Sequence, residues 1–300
     1  MISRVTVLTN PKSGHGNAPH AGELAVARFQ ELGIDVTGIV GRDAAHARQL
    51  VDEALTRETD ALVVIGGDGV IRLAIQALAR KDVPLGIVPA GTGNDHAREY
   101  RLPMADPVAA VDVIAAGYTE TVDLGHITGA DGSSTWFGTV AATGFDSLVS
   151  DRVNRMSWPH GRMRYNVALV AEISQLRPLP FRLVLDGERE IVADLTLAAF
   201  GNTRSYGGGM LICPGADHSD GLLDITLVRA SSRSKLIRLF PTVFKGTHVN
   251  LDDVSTYRAR TIAVDSPGIN AYADGDYVCP LPAEISAVPA ALKLIVPEPV

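Results

Sequence analysis

The sequence predicts two parts, a doubly wound, Rossmann-like α/β N-terminal domain and a predominantly β C-terminal domain. Three observations carry this expectation. Up to Val122, short apolar runs alternate with stretches in which apolar residues recur every three to four positions, the strand–helix rhythm of a parallel sheet. Three of those runs end in glycine-rich turns. Beyond Asp123, β segments separated by turn residues replace the rhythm, as in antiparallel sheets.

The elements follow in order. Residues 4–8 form a first strand and residues 21–32 a helix that Gly33 closes, since glycine adopts the left-handed C′ conformation most easily. A strand over 34–40, a helix over 44–56 and a strand over 61–65 come next. Ile71, Ala74, Ile75 and Leu78 share one helical face, and a strand over 85–88 follows. Residues 107–116 read as one more helix, capped by Asp106 and closed by Gly117. In the second part, β segments are expected at 134–142, 181–185, 190–199, 222–228, 258–264 and 269–273, with Asp186-Gly187 as a hairpin turn. Helices are expected at 162–176 and 231–245. The division expected is 1–122, 123–288 and a C-terminal strand in 289–300, over 292–296, that returns to the first domain.

Composition narrows the function classes. A net charge of −7 and a pI near 5.6 argue against a sequence-independent nucleic-acid binder, which needs a basic surface to displace counterions. A first segment that is strand-like rather than a basic and apolar leader, with no apolar run of membrane-spanning length, sets the expectation of a soluble cytoplasmic protein. Cys213 and Cys279 lie far apart outside any CxxC spacing and read as buried thiols.

The chemistry sits in the turns. Asn10-Pro11-Lys12-Ser13-Gly14, Gly66-Gly67-Asp68-Gly69 and Gly91-Thr92-Gly93-Asn94-Asp95 each follow an apolar run, and parallel strands deliver such turns to one sheet edge. Glycines remove the Cβ atoms that hold phosphate away from backbone amides, and a following helix offers unpaired N–H groups. Asp68 stands among these amides. A carboxylate there repels phosphate unless a cation intervenes, so Asp68 is expected to organise Mg²⁺, through water. Lys12, Ser13, Thr92 and Asn94 add a cation, hydroxyls and an amide. Neither a GxxxxGK[ST] loop nor a GxGxxG fingerprint at the first helix is present.

Together with Tyr206-Gly207-Gly208-Gly209, Asp220-Gly221-Leu222-Leu223-Asp224 and Ala273-Asp274-Gly275-Asp276, these turns resemble the ordered signature of the diacylglycerol kinase catalytic family, and of its soluble bacterial lipid kinases in particular. The resemblance implies an NAD-kinase-like first domain, a β-sandwich second domain, and an ATP site between them for phosphoryl transfer to a lipid hydroxyl. It assigns nucleotide and Mg²⁺ to the loops at 10–14, 66–69 and 91–95. Asp274 and Asp276 match the acidic catalytic turn, where a carboxylate takes the proton of the attacking alcohol. Aspartate replaces the usual glutamate at 276, which leaves open which carboxylate is the base. Asp217, Asp220 and the Leu222 carbonyl resemble a second, structural Mg²⁺ loop. The usual threonine and asparagine after the GGDG turn are Val70 and Arg72 here; losing a hydroxyl removes one phosphate contact, and Arg72 can restore one.

Six arginines against Asp151 and Glu172 give residues 151–182 a local charge of +4, with Met156, Trp158, Met163, Tyr165 and Leu169 interleaved. This suits transient contact with a membrane surface, so the location expected is cytoplasmic and peripheral at the inner membrane. The expected partners are diacylglycerol or a related lipid, no nucleic acid, and a homodimer stays open. The rival readings are a kinase for a sphingoid base, ceramide or glycolipid, an NAD kinase, and a regulator that binds nucleotide or lipid without catalysis.

Overall fold

The computed structural model describes residues 2–9, 18–156, 178–229 and 232–299. The chain divides into two compact units, Met1–Leu124 with Pro289–Val300, and Gly125–Val288.

In the first unit the strands are β1 (Arg4–Thr9), β2 (Asp35–Ile39), β3 (Ala61–Gly66) and β4 (Leu85–Pro89), and the end of the last strand, β16 (Ala283–Ile295), joins them. They run parallel in the order β2-β1-β3-β4-β16. Every residue of β3 and β4 is buried, which explains the uninterrupted apolar runs in the sequence. Val5, Val7, Val63 and Ile65 pack on one face with Ala21, Ala25 and Phe29 of α1 (Ala18–Glu31) and Val111 and Ile114 of α5 (Pro107–Ala116). The side chains of opposite parity, among them Leu8, Leu62 and Val64, are also buried, on the side of α2 (Ala44–Ala54) and α3 (Asp68–Leu78). Helices on both faces make the unit doubly wound. α5 begins where Asp106 accepts the Val108 and Ala109 N–H groups at 3.0 Å each, and ends at Gly117 with φ +74°. A short helix the sequence did not signal, α4 (Asp95–Glu99), follows the third glycine turn.

The second unit is a sandwich of antiparallel sheets. One sheet orders β12 (Val254–Ala259), β11 (Leu223–Val228), β10 (Leu197–Gly201), β7 (Val140–Gly144), β14 (Asn270–Ala273) and β15 (Asp276–Pro280). Facing it are β8 (Leu179–Leu185), β9 (Arg189–Leu195), β13 (Thr261–Asp265) and the first half of β16. Phe200, Leu223, Ile225 and Ala271 of one layer meet Phe181, Leu183, Ile262 and Ile285 of the other in one core. β5 (Thr119–Gly129) pairs with β6 (Ser134–Phe137) in the second layer. Helix α6 (Phe145–Arg155) follows β7, and α7 (Arg233–Val243) follows β11.

Three segments expected as single strands are each two strands in different sheets: 134–142 breaks into β6 and β7, 190–199 into β9 and β10, and 258–264 spans the β12–β13 break. The chain crosses between layers at Gly138-Thr139, Thr196 and Arg260; the alternation Ile191, Ala193, Leu195, Leu197, Ala199 runs straight through Thr196 and hides that corner, while the apolar phase shifts between Phe137 and Val140 and between Ala259 and Ile262. Two of these corners are held alike. Asp186 Oδ1 accepts the N–H groups of Arg260 and Thr261 at 2.9 and 2.8 Å, and Asp274 accepts those of Gly138 and Thr139 at 2.9 and 2.8 Å. Each aspartate also takes the threonine hydroxyl, Thr261 or Thr139.

Cys213 and Cys279 are free, buried thiols, and burial pushes Cys213 up to about 12. Among the described residues no helix is long and apolar enough to cross a membrane.

Candidate active site

Strands β3 and β4 are neighbours in register, and the Ala90 N–H donates to the Gly66 carbonyl just past their ends. This brings the second and third glycine turns into contact. A Cβ on Gly91 would lie 2.4 Å from Gly67 Cα, closer than atoms approach, so neither backbone tolerates a side chain there. Asp68 is the first residue of α3, half-buried at the helix N-terminus. Its Oδ1 accepts the Asp95 N–H at 3.0 Å and faces His96 Nδ1 at 3.3 Å. Burial acts to raise this carboxyl, but the hydrogen bond and charge of His96 and the backbone amides outweigh it, and the carboxyl sits below its ordinary range. Oδ2 lies where a Cβ on Gly93 would come within 2.7 Å, so Gly93 makes room for the acid.

The third turn is closed by its own side chains. Asn94, at φ +52°, accepts the Gly91 N–H and donates to the Gly91 carbonyl, both at 3.1 Å. Arg98 pairs with Asp95 at 2.8 Å and donates to the Gly93 carbonyl at 3.1 Å. Thus Asn94 and Asp95 shape the loop, while Thr92 is its exposed hydroxyl. Val70 is buried, so the position where a hydroxyl was missed faces the core. The loop 10–14 lies outside the described residues, as does the basic segment from 157 to 177.

In the second unit, Asp274 and Gly275 form the two-residue turn between β14 and β15 with φ +49° and +84°, the left-handed pair of a type I′ hairpin. Asp186-Gly187, at +51° and +72°, repeats the left-handed pair in the three-residue connection of β8 to β9, where Leu185 pairs with Arg189. Asp274 is half-buried, with both oxygens engaged by Gly138 and Thr139, and Asp276 is exposed at the start of β15. Sequence reasoning missed Asp151 of α6, which accepts from Asn270 Nδ2 at 2.9 Å and Tyr272 Oη at 2.6 Å and so ties the helix to β14.

The loop before β11 gathers acids. Asp217 accepts from Ser219 N and Oγ at 3.0 and 2.7 Å, and Asp220 accepts the Leu222 N–H at 3.0 Å. Arg258, opposite Asp224 in the β11–β12 register, pairs with Asp220 and reaches Asp224 at 3.2 Å. Burial, with Asp217 adding to it, pushes the Asp224 carboxyl up to about 6. Asp224 closes the Asp220–Asp224 motif but takes no role of its own from the sequence. Its signal was the position four residues after Asp220 at the mouth of a strand.

Comparison with known proteins decides the family. The model described as "Diacylglycerol kinase catalytic domain" matches residues 4–127, and "YegS C-terminal NAD kinase beta sandwich-like domain" matches residues 139–296. The chain is 66% identical over 297 residues to a "Diacylglycerol kinase" of Mycobacterium tuberculosis, covering 99% of this chain and 96% of that protein. This chain belongs to the diacylglycerol kinase family. A "Diacylglycerol kinase" of Bacillus subtilis is 25% identical over 301 residues, covering 99% of this chain and 97% of that one. The fold matches a crystal structure of a diacylglycerol kinase from Bacillus anthracis str. Sterne with a TM-score of 0.74 at 19% identity, covering 99% of this chain and 98% of that one.

Membership of the diacylglycerol kinase family makes this chain a lipid kinase and accounts for the fold of both units. Asp68 is an ionised acid whose Oδ2 points to the Gly93 side. Asp220 and Asp224 are paired to Arg258 and Asp217 is bonded to Ser219, and among the described residues no three acids or histidines converge as a metal-holding group.

Proposed function

We propose that the protein phosphorylates diacylglycerol to phosphatidic acid, with ATP as donor and Mg²⁺ as the required cation. The observation that supports this best is the contact of the two glycine turns around Asp68, which leaves backbone amides and one acid on a single loop pair. In this reading the loops at 66–69 and 91–95, with Asn10, Pro11, Lys12, Ser13 and Gly14, hold the polyphosphate, and Asp68 holds Mg²⁺ through water. Bound Mg²⁺ neutralises charge on the transferred group. A structural Mg²⁺ at Asp217, Asp220, Asp224 and the Leu222 carbonyl would displace Arg258 as the partner of Asp220 and Asp224.

Asp276 is the base in this reading. Asp274 is taken up in the corner at Gly138-Thr139, as Asp186 is at Arg260-Thr261, and positions the hairpin. Asp276, exposed one turn residue further on, takes the proton of the lipid hydroxyl as that oxygen bonds to the γ-phosphorus and the bond to the β–γ bridging oxygen breaks, releasing ADP. The test is γ-labelled ATP with Mg²⁺ offered diacylglycerol, ceramide, sphingosine and NAD in separate reactions. Label is expected in phosphatidic acid; label in another acceptor alone overturns the substrate assignment.

A further inference from the structure

We infer that α7 is a docking face for an anionic phospholipid surface. The inference rests on the lipid-kinase reading only in that a membrane holds the substrate; the surface itself is read from the helix. Leu239 and Val243 of α7 are buried, packed with Val228 and Val254 of the sandwich. A helix with one buried stripe is expected to carry polar residues beside it, yet Phe240 and Phe244, one position further on in each turn, are 41% and 47% exposed. Their rings meet edge to face at 5.6 Å, so they form a single apolar ridge, with exposed Pro241 beside them.

Charge selects the occupant. Residues 225–251 contain Arg229, Arg233, Lys235, Arg238 and Lys245 and no acidic residue, in a chain whose net charge is −7. Arg238 on the helix and Lys245, just past its C-cap Phe244, are exposed and bracket Pro241 along the chain. Of the acids that come next, Asp253 pairs with Lys235 at 2.9 Å. Two phenyl rings and flanking cations on one short helix suit the boundary between acyl chains and anionic headgroups, the rings below and the cations level with phosphate. Leu251, 39% exposed just after the 3₁₀ turn Thr247–Asn250 that packs beside the helix, adds apolar surface. This face is separate in sequence from the basic stretch at 151–182.

The test is co-sedimentation of the full chain with vesicles of phosphatidylcholine alone or with about 40% phosphatidylglycerol. Binding is expected to the anionic vesicles and to weaken with salt. The double variant Phe240→Ala/Phe244→Ala should lower it about tenfold, and Arg238→Glu/Lys245→Glu at least as much. Both pairs are exposed, so melting temperature should hold, as should transfer to a short-chain diacylglycerol in detergent micelles. Unchanged vesicle binding in both double variants overturns the proposal. So does self-association of the wild type without lipid that the phenylalanine pair abolishes, which would make the ridge an interface between copies. Vesicle binding that behaves as expected in a protein transferring no phosphate would sink the kinase reading and leave the docking face standing.

Discussion

Asp68, Asp274 and Asp276 are three aspartates in three different surroundings: a helix N-terminus, a corner that engages both oxygens, and an exposed strand start. Asp68 is the acid that three glycines admit: Gly67 and Gly91 let the backbones meet, and Gly93 leaves room for its Oδ2. Gly93→Ala would put a methyl 2.7 Å from that oxygen, so it should cut kcat/KM with ATP by at least about tenfold, one hydrogen bond's worth, while leaving the melting temperature within a degree or two. Steady-state kinetics with calorimetry on the same preparation checks both halves. His248 offers a test of pH linkage. It is fully buried, with Nε2 3.0 Å from the Ile212 carbonyl and no partner on Nδ1. Burial holds its pKa below the ordinary value despite that carbonyl, so the folded state prefers the neutral ring. Its contribution to stability is therefore present above the unfolded-state pKa of about 6.5 and declines as pH falls below it. His248→Asn should flatten that decline, read as melting temperature between pH 7.5 and 5; an unchanged slope would assign the acid sensitivity elsewhere.

At the scale of elements, the corners decide how the sandwich closes. Asp186 and Asp274 each follow a strand into a left-handed Asp-Gly turn and reach across to two consecutive N–H groups where another strand changes sheets. Replacing Asp274 by alanine should cost about 1–3 kcal/mol and lower the melting temperature by about 2–6 °C, since a charged acceptor of part-buried amides is worth that much, and replacing the exposed Asp186 should cost less. Asp186→Ala should leave kcat unchanged. The helix 107–116, with its Asp106 cap and Gly117 stop, and the buried strands 61–66 and 85–89 were legible because capping and continuous apolarity are local signals. The corners were not, because Thr196 leaves the alternation from Ile191 to Ala199 unbroken and the aspartates that hold the other two lie 136 and 74 positions away along the chain. Asp224 escaped for the same reason: its meaning comes from Arg258 on the neighbouring strand.

For the whole molecule, each unit carries its own candidate feature, the contacting glycine turns around Asp68 in the first and the acid loop and Asp-Gly hairpin in the second. Ligands then stabilise the fold by mass action, about 2.7 kcal/mol at a hundredfold excess over Kd. Mg²⁺ without nucleotide should raise the melting temperature through the acid loop, and Asp220→Ala should abolish that rise while an effect of Mg·ATP persists; differential scanning calorimetry separates the two. The central claim concerns the division of labour between the two acids of the hairpin. Label transfer from γ-labelled ATP to diacylglycerol, measured for Asp276→Asn and Asp274→Asn beside their melting temperatures, tests it most directly. The account predicts that Asp276→Asn loses about a hundredfold or more in kcat with its melting temperature intact, whereas Asp274→Asn melts several degrees lower. Full transfer by Asp276→Asn, or an unaltered melting temperature together with lost transfer in Asp274→Asn, would contradict it.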